Sequence, residues 1–485
     1  MIEFSCDLAR EGVAFSHFWK HTVGSGHAPL ALRADWQAQL KRCSQECGFA
    51  HVRFHGLLSG TMQAVFIHED EYRYSFFNVD RIYDFLLSVA VRPFVELSFM
   101  PESLASGHQT VFNYVNHVSP PKDMKLWCTL IHKLVSHCVA RYGVEEVRQW
   151  YFEVWNEPNL DAFWSGSQKD YFELYRATVE TIKEIDDGLR VGGPSSAQNE
   201  WIPEFLDFCE KNNLPVDFVT THHYPTDAFG DPGDDTETQL AKSERSILRR
   251  EAEGAKRDAR GKPLYYTEWN SSSNPRDARH DLPYTAAFAL KTIMEAQGIV
   301  DGYSFWTFSD IFEENYMPSQ PYHGGFGLMN LYGIPKPVYR AYQLLNRLGE
   351  EQLQLSGRHD TVDAWAVRKN GRIDFLLTNH ALPRHPVKTE TVRLCLHNIK
   401  TPATVKLARI DEDHANPRRA WEALGSPMYL SEGQVADLEA LSQVYWEPVA
   451  TQHDENTLTM EFTIPPQGVT AVTVLLPQYN ALDFR

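Results

Sequence analysis

The sequence predicts a parallel (β/α)8 barrel, the TIM barrel, with an accessory antiparallel β-sandwich domain. Strand-like and helix-like stretches alternate eight times between residues 13 and 345. From about Glu351 the chain changes to short runs of period two, and residues 2–8 at the other end show the same period. Eight β-then-α units in succession call for a closed parallel sheet wrapped in helices, whereas period-two runs call for antiparallel sheets.

In chain order, Ile2, Phe4, Cys6 and Leu8 alternate with Glu3, Ser5 and Asp7, a half-buried strand expected to join the sandwich. Barrel strands are expected near Val13–Phe18 and at Phe49–Phe54, Arg92–Phe99, Trp150–Trp155, Arg190–Gly193, Asp217–His222, Pro263–Glu268 and Tyr303–Trp306. Helices are expected at Asp35–Cys47, Asp80–Val89, Pro121–Tyr142, Lys169–Ile185, Pro203–Lys211, Leu240–Arg257, Pro283–Glu295 and Pro337–Leu348. The clearest is Pro121–Tyr142, where Trp127, Leu130, Ile131, Leu134, Val135, Cys138, Val139 and Tyr142 form one apolar stripe and Gly143 supplies the stop. Beyond Glu351 no long helix is expected. Asn370-Gly371 between Trp365–Arg368 and Ile373–Leu377 is the dipeptide of a type I′ hairpin. Leu458, Met460, Phe462 and Ile464 alternate with Thr459, Glu461 and Thr463. These patterns assign residues 13–345 to the barrel and residues 1–12 with 346–485 to the sandwich.

Composition narrows the functional classes. Apolar residues at 43% and charged residues at 23% suit a globular protein and exclude disordered and fibrous ones. No run of 18 apolar residues offers a membrane helix. With 46 Lys and Arg against 64 Asp and Glu, the formal charge of −18 has the wrong sign for holding nucleic acid or an anionic membrane. A neutral ligand fits better, and the 12 Trp supply flat faces of the kind that stack on sugar rings. Seven scattered Cys without a CxxC pair read as reduced thiols. Residues Met1–Asp7 lack the basic and apolar regions of a secretory leader, so a cytoplasmic location is expected.

Barrels of this kind gather functional groups where strands end. The fourth strand runs Tyr-Phe-Glu-Val-Trp-Asn-Glu into Glu157, and the seventh runs Pro-Leu-Tyr-Tyr-Thr-Glu into Glu268. Both carboxylates therefore point over one mouth from opposite walls. Glycosidic cleavage requires such a pair: a protonated one for the leaving oxygen and an ionised one for the anomeric carbon. Their surroundings must push the two pKa values apart. No metal or organic cofactor is expected, because His222-His223 has no third ligand at useful spacing and Asp231–Glu237 reads as a solvated loop.

Asn156-Glu157-Pro158 with Thr267-Glu268-Trp269 resembles the signature of the retaining glycoside hydrolases of clan A. The finer pattern is similar to glycoside hydrolase family 39, the β-xylosidases. It is carried by Phe18-Trp19, Val23–Gly26, Val52–Gly56, Glu153–Leu160, Thr221–Thr226, Tyr266–Asn270 and Ser304–Asp310, seven blocks in order. The resemblance spans about residues 1–350 and continues more weakly through the sandwich.

The resemblance implies Glu157 as general acid/base and Glu268 as nucleophile, forming a covalent glycosyl-enzyme, with carboxyls about 5–5.5 Å apart. Asn156 would hold the sugar 2-hydroxyl, unless it is a strand-end cap. It also places Tyr224 against the nucleophile and His222 and His55 among the sugar hydroxyls. Arg53, closing the second strand, would keep Glu268 ionised or serve as a barrel ion pair; the two roles are compatible. Trp306 would floor the −1 subsite or simply pack the barrel, and Glu313-Glu314 would offer a carboxylate to the terminal sugar or be a generic loop charge. Phe163 and Trp164 would line the leaving-group side. The long loops 225–239, 270–282 and 309–332 are expected to narrow the cleft to a pocket, favouring end-on cleavage.

The expected activity is thus a retaining exo-acting β-D-xylosidase releasing xylose from the non-reducing ends of short xylo-oligosaccharides. Alternatives on the same machinery are α-L-arabinofuranosidase, β-glucosidase or an α-L-iduronidase-like activity, the last disfavoured because Glu313-Glu314 would repel a uronate. The alternative from a different class is a carbohydrate-binding protein without catalysis.

Overall fold

A computed structural model describes residues 1–226, 233–399 and 404–476. Eight parallel strands close a barrel: Thr22–His27, His51–His55, Arg92–Leu97, Tyr151–Val154, Arg190–Ser196, Phe218–His223, Leu264–Trp269 and Gly302–Phe305, the last paired with the first. Phe94, Tyr151 and Phe218, with Tyr265 beside them, plug the end of the barrel away from the strand termini, and the stacked rings of His21 and His51 lie against this cluster.

The helices follow from local chemistry. Met124–Tyr142 starts where the Asp123 carboxylate accepts from Lys125 N at 2.9 Å, and it stops at Gly143, whose φ of +86° suits glycine. Gln168–Ile185 begins with a capping box between Ser167 and Asp170. Pro283–Glu295 is buried along nearly its whole length because the sandwich strand Gly468–Leu475 covers the face that a barrel helix ordinarily shows to water.

The sandwich has two sheets. The smaller joins Leu355–Ser356, Ile2–Asp7, Glu390–His397, Thr457–Ile464 and Thr451–Asp454, with Ile2–Asp7 running parallel to Glu390–His397. The larger includes Glu351–Leu353, Val362–Lys369, Arg372–Asn379, Gly468–Leu475 and Thr404–Ile410. Phe4, Leu394, Phe375 and Val472 meet between them.

Four expectations are corrected. The first barrel strand is Thr22–His27, not Val13–Phe18; Val13–Ala14 pairs with Glu351–Gln352 instead, and Phe18–Lys20 is a 3-10 turn. Two glycines weaken the strand signal of Thr22–His27, yet Gly24 is required there, since a Cβ would come within 2.6 Å of the Trp306 ring. The stretch 240–257 is two helices, Thr236–Lys242 and Ile247–Asp258, parted where Arg245 reaches out to His380 O, Thr361 O and Asp363 of the sandwich. The C-terminal part carries two helices, Pro417–Ala423 and Glu432–Leu441, whose Trp421 and Leu438 pack on Tyr322 and Ile334 from the loop after the eighth strand. The hairpin at Asn370-Gly371 forms, but of the two only Gly371 has positive φ, so the turn is not type I′.

Candidate active site

At the strand ends one guanidinium organises everything else. Arg53, fully enclosed on the second strand, donates from Nε to Glu153 Oε2 at 2.6 Å and from Nη1 to Glu268 Oε1 at 2.8 Å. Its Nη2 donates to Asn156 Oδ1 at 2.9 Å and lies 2.9 Å from Glu96 Oε2. Burial disfavours the charge on Arg53, but Glu153, Glu96 and Glu268 outweigh it and push its pKa up.

The backbone turns Glu157 into the same space. Trp155 and Glu157 have φ of +76° and +46°, values rarely adopted by residues with a Cβ, and Glu157 N is tied to Ser195 O at 2.7 Å. Such strain persists only where surrounding structure enforces it. On the opposite wall, pairing irregularities at His222 and between Tyr266 and Trp269 re-aim the end of the seventh strand. Carboxylate oxygens of Glu157 and Glu268 come within 4.8 Å of each other, as does a ring nitrogen of His222 to both.

The two carboxyls stand in different surroundings. Burial pushes Glu157 up to about 7, against the opposing pull of His55 and Arg53. Glu268 accepts from Arg53 at Oε1 and, at Oε2, from the Tyr224 hydroxyl at 3.0 Å. Burial opposes charge on His55, but Glu96, whose Oε2 is 2.8 Å from Nδ1, then Glu314 and Glu268 hold its pKa up to about 9. Burial also lifts Glu314 to about 8, although His55 pulls it down. His222 is pushed down to about 4 by burial, so it is neutral. Its Nδ1 is 2.9 Å from Glu157 Oε1 and its Nε2 is 3.0 Å from Thr267 Oγ1. Both ring nitrogens are therefore committed within the protein, which accounts for the close approach of Glu157, His222 and Glu268, the one metal-like triad among the described residues.

These side chains border a cavity of about 330 Å3 whose further lining includes Phe112, Leu160, Gln198, Pro275, Trp306 and Phe326. The volume suits one or two sugar rings more than a long chain. Its order across the site is legible from contacts. Glu157 and His222 lie toward Glu268 Oε2, whereas His55 Nε2 lies 3.6 Å from Oε1 and 3.4 Å from Glu314 Oε1. Glu314 thus stands beyond Glu268 from Glu157. Behind Glu314, the side-chain amide of Asn113 lies against the carbonyls of Glu313 and Glu314. Tyr114 stacks on His27 with ring centroids 3.8 Å apart, and His27 Nδ1 meets Glu313 Oε1 at 3.0 Å. The hairpin around residues 110–117 is in this way clasped to the loop after the eighth strand.

The profile of Glycosyl hydrolases family 39 matches residues 2–456. The chain belongs to this family. It is 46% identical to a β-xylosidase of Caldicellulosiruptor saccharolyticus over 94% of this chain and 95% of that protein. It is 38% identical to a β-xylosidase of Geobacillus stearothermophilus over 87% and 86%. Among solved structures, a monomeric β-xylosidase from Caulobacter crescentus superposes with a TM-score of 0.87 at 34% identity, covering 98% of this chain and 100% of that one. The protein is therefore a family 39 glycoside hydrolase with the barrel fold of that family.

Of the residues singled out in this hydrolase from sequence, His55, Asn156, Glu157, Phe163, Tyr224, Glu268, Trp306 and Glu314 line the cavity. Arg53 and His222 lie beneath it as partners of the carboxylates. Three placements are corrected. His222 spends its nitrogens on Glu157 and Thr267 rather than on a ligand's hydroxyls. Glu313 turns away to His27. Trp164 is buried behind the site, edge-on to Trp155 and bonded through Nε1 to Ser167 O at 3.0 Å. Loops 270–282 and 309–332 do contribute, through Ser273, Pro275, Glu314, Asn315 and Phe326; residues 227–232 of the loop 225–239, including Asp231, lie outside the described residues. Sequence reasoning missed Glu96, Glu153, Thr267 and Phe112. A signal existed for the first two: each is an acidic residue inside an otherwise apolar strand, Arg-Pro-Phe-Val-Glu-Leu and Tyr-Phe-Glu-Val.

Proposed function

We propose that this hydrolase removes single xylose units from the non-reducing ends of xylo-oligosaccharides, with retention of configuration. The observation that carries the reading is the approach of Glu157 and Glu268 within 4.8 Å, one held protonated by burial and the other paired with Arg53 and Tyr224. That spacing matches the carboxyl separation of about 5–5.5 Å that goes with double displacement and falls short of the roughly 6.5–9.5 Å of an inverting pair.

In the first step a Glu268 carboxylate oxygen attacks the anomeric carbon while Glu157 gives its proton to the departing glycosidic oxygen. In the second, the Glu157 carboxylate takes a proton from a water that attacks the same carbon and displaces Glu268. Asn156 has its Oδ1 occupied by Arg53, leaving the Nδ2 donor to face the cavity and the sugar 2-hydroxyl. Trp306 offers an aromatic face beside His55. His55 and Glu314 serve the hydroxyls at the far side of the ring. The β-xylosidase relatives at 46% and 38% identity support xylose as the sugar.

Proton NMR of nitrophenyl β-xyloside hydrolysis tests this directly. The β-anomer of xylose appears first if the reading holds. First appearance of the α-anomer, or a faster rate on the β-glucoside, overturns it.

A further inference from the structure

Behind Glu157 three buried hydrogen bonds run in line. Glu157 Oε1 lies 2.9 Å from His222 Nδ1, His222 Nε2 lies 3.0 Å from Thr267 Oγ1, and Thr267 Oγ1 donates to Glu153 Oε1 at 2.8 Å. Glu153, His222 and Thr267 are essentially sealed from solvent.

The far end sets the direction of the chain. Arg53 Nε donates to Glu153 Oε2 at 2.6 Å, and in this ion pair both Glu153 oxygens act as acceptors. The single hydrogen of the Thr267 hydroxyl therefore goes to Glu153, and its oxygen must accept from His222 Nε2–H. A neutral imidazole carries one N–H. His222 Nδ1 then presents a bare lone pair, which makes a hydrogen bond with Glu157 only while Glu157 is protonated.

We propose that His222 and Thr267 are positioning residues that hold the proton on Glu157 by fixing the imidazole tautomer. The inference rests on the acid/base role of Glu157 proposed above. It explains how one carboxyl serves both half-reactions. In the resting enzyme the proton sits on the carboxyl against Nδ1, and rotation about Cγ–Cδ presents it to the glycosidic oxygen. Once it is given up, the Glu157 carboxylate faces a lone pair, two acceptors in opposition. That opposition makes it a stronger base toward the incoming water, from which the proton returns to Glu157.

Other charged or titratable groups surround Glu157 and this chain: Arg53 and His55 from the second strand, Glu96 from the third, Glu153 at the far end of the chain, Tyr224 after the sixth, Glu268 on the seventh and Glu314 from the loop after the eighth. All of them are retained in the variants that test the proposal.

Thr267→Val keeps the shape and removes the acceptor at Nε2, so the imidazole can shift its hydrogen to Nδ1 and donate to an ionised Glu157. The basic limb of kcat/KM on nitrophenyl β-xyloside is then expected about one pH unit lower, while Thr267→Ser keeps the parent profile. Should Thr267→Val not fold, His222→Asn places an amide donor against Glu157 and is expected to lower the limb likewise. A limb that stays put or rises in the folded variant overturns the proposal. Azide rescue of Glu157→Ala, run alongside, separates the two readings: no rescue defeats the acid/base role itself, whereas rescue with an unmoved limb defeats only the tautomer lock.

Discussion

Arg53 and Glu268 form an enclosed ion pair, Nη1 to Oε1 at 2.8 Å, and the same guanidinium also holds Glu153 and Glu96. One cation is shared by three carboxylates arriving from the third, fourth and seventh strands. Only a planar group with several donors can face three directions at once, which is why this position calls for arginine and not lysine.

Arg53→Met leaves three buried carboxylates without their cation. Loss of one partner from a buried pair costs about 3–5 kcal/mol, so urea unfolding of this variant should show a loss of at least that size. Arg53→Lys keeps the charge but not the fork, and its nitrophenyl β-xyloside turnover should fall well below the parent's. A Lys variant with parental turnover would contradict the bidentate role.

The division of labour between the carboxyls is open to leaving-group chemistry. Glu268→Ala should lose turnover on every β-xyloside. Glu157→Ala should lose roughly 10²–10⁴-fold on xylobiose but much less on an aryl xyloside with a good leaving group, and added azide should restore rate as a β-xylosyl azide forms. Equal losses on both substrates, without rescue, would sink the assignment.

The pH dependence has a defined sign. Burial raises Glu157 to about 7, so its proton is retained through the acid range and lost as pH climbs past that value. Since the protonated form donates to the leaving oxygen, kcat/KM should hold up to near pH 7 and then fall tenfold per unit. A profile still flat at pH 9 would show that Glu157 does not supply the proton.

The clasp behind Glu314 should decide how much substrate fits on the side away from Glu157. Tyr114→Ala removes the ring stacked on His27, and the xyloside-over-glucoside preference should relax by roughly tenfold, the scale of one added carbon in a close-fitting site. Tyr114→Phe keeps the stack and should retain the parent ratio. First-formed products from xylotetraose give a second reading, with the parent releasing xylose and xylotriose and only the Ala variant forming xylobiose before xylotriose has accumulated. Identical ratios in all three proteins would remove the clasp from specificity.

Much of this architecture was legible in the linear chain. Seven of the eight barrel strands showed as apolar runs because a parallel sheet is buried on both faces. The exception, Thr22–His27, is a strand chosen by its neighbours: Gly24 lies there because Trp306 occupies the space its side chain would need. The helices Pro417–Ala423 and Glu432–Leu441 likewise escaped notice, being short and stabilised by packing on Tyr322 and Ile334 more than by their own periodicity.

Glu157 and Glu268 were recognisable as a pair because each ends a hydrophobic strand within a distinctive block of residues, so type and position along the chain were enough to nominate them. Their unlike surroundings were not readable. Glu96, Glu153 and Thr267 are distant in sequence yet converge on Arg53 and His222, and Glu313 and Glu314, adjacent in the chain, face opposite ways. Chain order can name which groups carry charge, but desolvation and hydrogen-bond direction depend on what closes over each group, and that is decided when the barrel shuts.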